Sequence, residues 1–129
     1  MSFYVLIFPV FFLPYFEERF EARLPGSLPE MAGRVLIHRY GPAVDSLVEE
    51  LRRVGTAFVV LEQDERQARR LRDRGYDVVF GALDEQPGML SGVEAAQALI
   101  TNADDDADAT FIMMARERGY TGPILALAA

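Results

Sequence analysis

From Arg34 onward the chain alternates short apolar runs with stretches in which apolar residues recur at every third or fourth position, the patterns of buried strands and amphipathic helices. Val35-Leu36-Ile37 reads as the first strand. After Gly41 and Pro42, residues Val44, Leu47, Val48, Leu51 and Val54 share one helical face, and Gly55 sits where a left-handed residue ends a helix. The unit then recurs. Ala57 to Leu61 forms a second strand, Asp64 caps a helix running through Arg74, and Gly75 ends it. Val78-Val79-Phe80 makes a third strand and Ala98-Leu99-Ile100 a fourth, with a shorter helix predicted around Met89 to Ala96 between them. A long helix from about Asp105 to Arg118 stops at Gly119, and Ile124 to Leu127 is the fifth strand. Strands joined by helices imply a parallel sheet with right-handed crossovers, so the predicted fold is α/β, doubly wound, with strand order 3-2-1-4-5.

The first residues follow neither pattern. Phe3 to Phe16 is almost entirely apolar and aromatic, then Glu17, Glu18 and Arg19 follow at once. The run is too short for a bilayer span of about 20 residues, lacks the features of a cleaved signal, and carries Pro9 and Pro14. It reads either as the cytoplasmic end of a membrane helix that begins outside this chain or as a soluble segment buried against the domain or another subunit. An apolar patch of this size favours the first reading. Glu17 to Gly33, with Pro25, Gly26, Ser27 and Pro29, reads as a connector. The organisation expected is therefore a segment and linker over 1–33 and one domain over 34–129.

Composition narrows the partners. A chain of 129 residues that is 50% hydrophobic can bury one core but not two. The net charge of -7 repels phosphate backbones and argues against nucleic acid. Cysteine is absent, which removes disulfides, thiolate nucleophiles and cysteine metal sites and fits a cytoplasmic protein.

The loop after the first strand carries the candidate chemistry. A dinucleotide site needs a tight glycine turn there, so that the backbone approaches a pyrophosphate at the next helix N-terminus. Here the loop is Arg39-Tyr40-Gly41-Pro42-Ala43-Val44, which keeps only the middle glycine of G-x-G-x-x-G. Glu62, about twenty residues beyond Gly41, stands where a carboxylate would accept from a ribose diol. Arg39 either pairs with a phosphate or fills its place, and Val44 crowds the helix start.

Around these residues the run VLIHRYGPAVDSLVEEL resembles the opening of the RCK (TrkA-N, or KTN) domains that control potassium channels and uptake systems. FVVLEQD, YDVVFGALDE, GVEAAQALITNADDDAD and MMARERGYTGPILALA resemble that family's later strands and helix starts, over about 34–129. The apolar start followed by EERFEARLP resembles, more weakly, a pore-to-RCK linker. The resemblance implies a Rossmann-like fold without enzymatic activity. It further implies a nucleotide, NAD(H) or AMP, ADP or ATP, held by Arg39 to Val44, Glu62, Gln63, Ala82, Leu83, Thr101 and Asn102. Binding would act through a homodimer or larger homo-oligomer on a potassium channel pore or membrane subunit, at the inner face of the cell membrane. Ala82 replaces a frequent Asp of the family and Asp108 a frequent Asn, and its last helix and sixth strand are missing, so the chain is expected to stop short of the native domain.

Other readings stand beside these. A degenerate glycine loop also suits an assembly module that has lost its ligand. A nicotinamide-dependent oxidoreductase is disfavoured, because the sequence holds neither a Tyr-x-x-x-Lys pair nor any lysine. Asp104, Asp105, Asp106 and Asp108 could offer oxygens to a divalent cation, but carboxylates at a helix start are ordinary. Glu62 could be a solvated strand end, and His38, the single histidine, is assigned no role. Arg66, Arg69, Arg70, Arg72 and Arg74 read as a solvated face or a contact for anionic lipid. Phe111, Ile112 and Met114 extend apolar character around the last helix and suggest a subunit interface.

Overall fold

The computed structural model describes residues 24–83, 85–102 and 105–127. The apolar run Phe3–Phe16 lies outside them. Five strands form one parallel sheet in the order β3-β2-β1-β4-β5, as the alternation predicts. They are β1 (Arg34–His38), β2 (Ala57–Glu62), β3 (Val78–Phe80), β4 (Ala98–Thr101) and β5 (Ile124–Ala126). The helices are α1 (Pro42–Arg53), α2 (Glu65–Asp73) and α3 (Asp105–Glu117).

The period-two alternation of each strand sends its side chains into two cores. Leu36, Val59, Leu61, Val79 and Leu99 point to the face covered by α3, where Phe111 and Ala115 are buried. Val35, Ile37, Phe58, Val60 and Ile100 point to the face covered by α1 and α2, through Val44, Val48, Ala68 and Leu71. Each of the larger of these side chains contributes about 1.5–3 kcal/mol through burial. Asp64 caps α2 as expected, its carboxylate accepting from the amides of Arg66 at 3.0 Å and Gln67 at 3.4 Å.

The helix expected over Met89–Ala96 does not form. Two 3-10 turns stand there, Pro87–Leu90 and Val93–Ala95. Ser91 is extended (φ -57°, ψ 125°) and Gly92 is left-handed (φ 93°), so the i→i+4 ladder cannot cross this point. The turns nonetheless bury Met89, Leu90 and Val93 on the α3 face.

The described part of the connector is packed against the sheet. The Phe80 amide, on the outer edge of β3, donates to the Pro25 carbonyl at 2.8 Å, and the Leu28 amide donates to the Met89 carbonyl at 3.2 Å. Met31 is fully buried, and Ala32 pairs with Ala96 across an antiparallel bridge.

Candidate functional site

Strand order reverses at β1. Chain leaving β1 turns into α1 on one face, and chain leaving β4 turns into α3 on the other, which opens a crevice beyond the strand ends. The Arg39–Val44 loop forms one lip. Arg39 occupies the first glycine position with φ 71°, a left-handed backbone that costs a side chain about 1–2 kcal/mol. Its amide donates to the Leu61 carbonyl at 2.8 Å, and its Nε lies 4.0 Å from a Glu62 carboxylate oxygen.

Glu62 is no solvated strand end. It is buried, and its carboxylate accepts from the backbone amides of Tyr40 at 3.1 Å, Gln63 at 3.0 Å and Asp64 at 3.1 Å. Strand pairing beside β1 carries the side chain under the loop, where peptide N–H groups from both loops converge on it. The carboxylate expected to read a ribose thus already organises the β1–α1 and β2–α2 turns.

Gly41 is required by proximity rather than by its backbone angles, since its φ of -164° is open to any residue. A Cβ there would collide with the Asn102 side-chain amide, so this glycine lets the tips of β1 and β4 close together. Pro42 brings no N–H, and the Val44 amide is taken by the Gly41 carbonyl at 2.9 Å. The Gly41 and Ala43 amides are the donors of this turn left without an acceptor among the described residues. Val44, at the third glycine position, is buried in the α1 core and leaves the crevice clear.

Tyr40 sends its ring onto the α1–α2 face, edge-on to Tyr76 with 6.4 Å between centroids. Arg74 donates to the Tyr40 hydroxyl at 3.3 Å and to Asp45 at 3.4 Å, and the Tyr76 hydroxyl donates to Asp45 at 3.2 Å. The Tyr40 hydroxyl first, with Tyr76 and Arg74 adding to it, holds the Asp45 carboxyl below the usual carboxylate range, outweighing the desolvation that opposes them. Tyr40 is therefore an anchor for the loop.

Beneath the other lip runs a buried polar chain. Thr101 donates its hydroxyl to Asp108, and the same oxygen lies 3.3 Å from His38 Nδ1. The His38 ring stacks on Phe111 with centroids 4.5 Å apart. A cavity of about 290 Å³ opens above, lined by His38, Leu61, Gln63, Gly81, Leu83 and the first turns of α3 at Asp106, Ala107 and Thr110. A larger space of about 750 Å³ lies at the opposite ends of the strands, between the connector and β3, where Arg34 and Asp77 face each other at 3.9 Å. It holds neither a helix N-terminus nor the loop chemistry, so the smaller crevice cavity is the candidate.

Gln63 and Leu83 line this cavity, and Ala82 lies half-buried between Gly81 and Leu83. Thr101 is buried against His38, and Asn102 abuts Gly41. His38, Leu61, Gly81, Asp106, Ala107 and Thr110 went unassigned in the sequence. A helix starting after the strand across the reversal was the signal for the last three, whereas nothing local marks His38 as a lining residue. Asp104 lies outside the described residues, Asp108 is bonded by Thr101, and among the described residues no three His, Cys, Asp or Glu side chains gather as a metal site.

The expectation for α3 needs correction. Phe111 is wholly buried, stacked on His38, and Met114 packs against the same core cluster, so this side of the helix is turned to the sheet and not to a partner. Among the described residues the exposed large hydrophobics are Met113 on this helix, at 56%, and, elsewhere, Val54 at 59% and Leu125 at 52%.

Residues 35–129 match the family model of the TrkA-N domain. No curated protein matches the sequence. Among solved structures, the GsuK channel bound to NAD is 29% identical, with a TM-score of 0.77 over 90% of this chain and 22% of that one. GsuK bound to ADP is 28% identical, with a TM-score of 0.76 over 90% of this chain and 31% of that one. The TrkA-N domain of the inner membrane protein ybaL from Escherichia coli is 26% identical, with a TM-score of 0.64 over 76% of this chain and 74% of that one. This chain spans less than a third of either GsuK chain.

Proposed function

The chain belongs to the TrkA-N domain family, and we propose that it is a nucleotide-sensing regulatory domain of a potassium channel or transport system, acting without making or breaking bonds. The observation that carries the reading is the crevice. The Gly41 and Ala43 amides at the α1 N-terminus suit a phosphate. The apolar side chains of Leu61 and Leu83, which line the cavity, suit a base. The half-open cavity of about 290 Å³ has room for one base and its sugar, so AMP or ADP would be held there and NAD(H) would extend along the loop. The likeness to a channel solved with NAD and with ADP supports the same reading.

Binding would shift subunit geometry in a homodimer or larger homo-oligomer and act on a membrane subunit at its cytoplasmic side. Among the described residues no helix is long and apolar enough to cross a membrane. Thermal denaturation of the full chain with AMP, ADP, ATP and NADH tests the proposal. A ligand selective for the native state raises stability by about 2.7 kcal/mol at a hundred times its Kd, which moves the midpoint by several degrees.

A second reading has its own support. Three amides already occupy Glu62, and Arg39 lies beside it, so the carboxylate has little capacity left for a ribose. An assembly module with a silent pocket would show this closed arrangement and no thermal response to any nucleotide.

A further inference from the structure

We infer that the pole of the domain opposite the crevice, where the strands begin and the helices end, is a contact for an anionic lipid surface. The inference does not depend on what the crevice binds, and it rests on the proposed function only for the place beside a membrane. In a parallel sheet each helix runs back against its strands, so the ends of α1, α2 and α3 gather where the strands start. The sequence closes these helices on arginine. Arg52 and Arg53 stand in the last turn of α1, Arg70 and Arg72 in that of α2, and Arg116 in that of α3. The first turns, at the crevice pole, carry Asp45, Glu65 and the aspartates that open α3. A chain with a net charge of -7 thus collects its arginines at one end.

Arginine at a helix end answers the helix dipole, which accounts for one or two per helix. The pole goes further. Arg34 joins it from the start of β1, where no helix dipole asks for a cation. Arg52 and Arg74 both lie over the Tyr76 ring, at 5.1 and 5.2 Å from its centre. Tyr76 in turn lines the space of about 750 Å³ together with Arg34 and Arg72, so these four arginines belong to one continuous surface. Asp77 at 3.9 Å from Arg34, Glu50 at 2.7 Å from Arg53, and Asp73 in the last turn of α2 oppose them in part. Val54, directly after Arg53, is exposed.

An apolar side chain among arginines suits the boundary between headgroups and acyl chains. Charges spread over the ends of α1, α2 and β1 fit an extended surface better than a single phosphate. The connector supplies the location, since Pro25 and Ser27 line the same space. Phe16, the last residue of the apolar run, stands eight positions before Leu24, a reach of at most about 30 Å. A bilayer holding that run would therefore lie within reach of the pole. At physiological salt the screening length is about 8 Å, so facing lipid feels the pole and not the total charge.

Flotation of the full chain with vesicles tests the pole, using phosphatidylcholine alone and phosphatidylcholine with about 30% phosphatidylglycerol, since each arginine near an anionic surface adds about fivefold in partition. Binding to the uncharged vesicles reports the apolar run, and the excess on charged vesicles reports the pole, so the two readings fail separately. The parent should prefer the charged vesicles at least about tenfold, and Arg52→Gln with Arg72→Gln should remove most of that preference. Arg52→Lys with Arg72→Lys keeps the charge and should keep the preference. Arg66→Gln with Arg69→Gln, nearer the crevice end of α2, should lower it less than about threefold. Should the first glutamine pair melt below the parent, Arg53→Gln on an exposed side chain decides, with an expected loss of about fivefold. Equal partition of the parent into both vesicles overturns the proposal, as does an equal loss in the two glutamine pairs. Binding of soluble polyglutamate without any preference for charged vesicles would assign the pole to an acidic protein, which also overturns it.

Discussion

The amide of Tyr40 donates to the Glu62 carboxylate at 3.1 Å, which ties the loop after β1 to the end of β2 through the side chain best spaced to read a ribose. Glu62→Ala should therefore destabilise the fold as well as weaken binding, because three part-buried amide hydrogen bonds lose their acceptor. The expected cost is about 1–3 kcal/mol, read as a lower urea midpoint with an unchanged m-value. Glu62→Gln, which keeps one acceptor oxygen, should fall between. A Glu62→Ala variant as stable as the parent would return this residue to the solvated strand end it resembles in the sequence.

Arg39 separates backbone strain from side-chain chemistry. Its φ of 71° favours glycine, so Arg39→Gly should be more stable than Arg39→Ala by about 1 kcal/mol, although glycine normally loses such a comparison to alanine. Equal urea midpoints for the two variants would mean that the loop does not hold this conformation in solution.

The Asp45 cluster sets a pH dependence. Hydrogen bonds from Tyr40 and Tyr76 and the nearby Arg74 charge lower the Asp45 pKa in the folded state. Its contribution is thus present above the ordinary carboxylate range and lost as pH falls through the depressed folded value. The side chain is 45% exposed, so Asp45→Asn should cost at most about 1 kcal/mol at pH 7 and almost nothing near pH 2. Parallel stability curves for the two proteins across that range would contradict the assignment.

On α3, burial divides neighbours. Phe111→Ala should cost about 3–5 kcal/mol, since it empties the space beneath His38. Met113→Asp should change stability by no more than about 0.5 kcal/mol. If self-association uses the surface of Met113 and Leu125, light scattering will show it weakened by Met113→Asp alone.

The sheet was legible because each apolar run is bounded by a helical pattern with a cap such as Asp64 and a stop such as Gly55 or Gly75. The reversal at β1, and with it the place of the crevice, followed from that alternation. The lost helix at Met89 turned on Gly92, whose left-handed backbone a sequence permits but does not demand. The contacts of Glu62 and His38 were not legible in the sequence, for a shared reason. Their roles depend on groups that approach from other strands: the Tyr40 amide in one case, Thr101 and Phe111 in the other. Periodicity likewise let apolar residues extend beyond one face of α3, and only the packing of the fold put Phe111 in the core and left Met113 outside.

Calorimetric titration of the full chain with ADP, alongside a Thr110→Trp variant, tests the central claim most directly. Thr110 lines the cavity from the helix side and is partly exposed, so an indole there should fill the space without unfolding the domain. The account predicts ADP binding to the parent and a loss of at least about tenfold in affinity, or 1.4 kcal/mol, in a variant that melts like the parent. No heat from ADP or NADH with the parent, or equal affinity in the two proteins, would contradict a nucleotide site in this crevice.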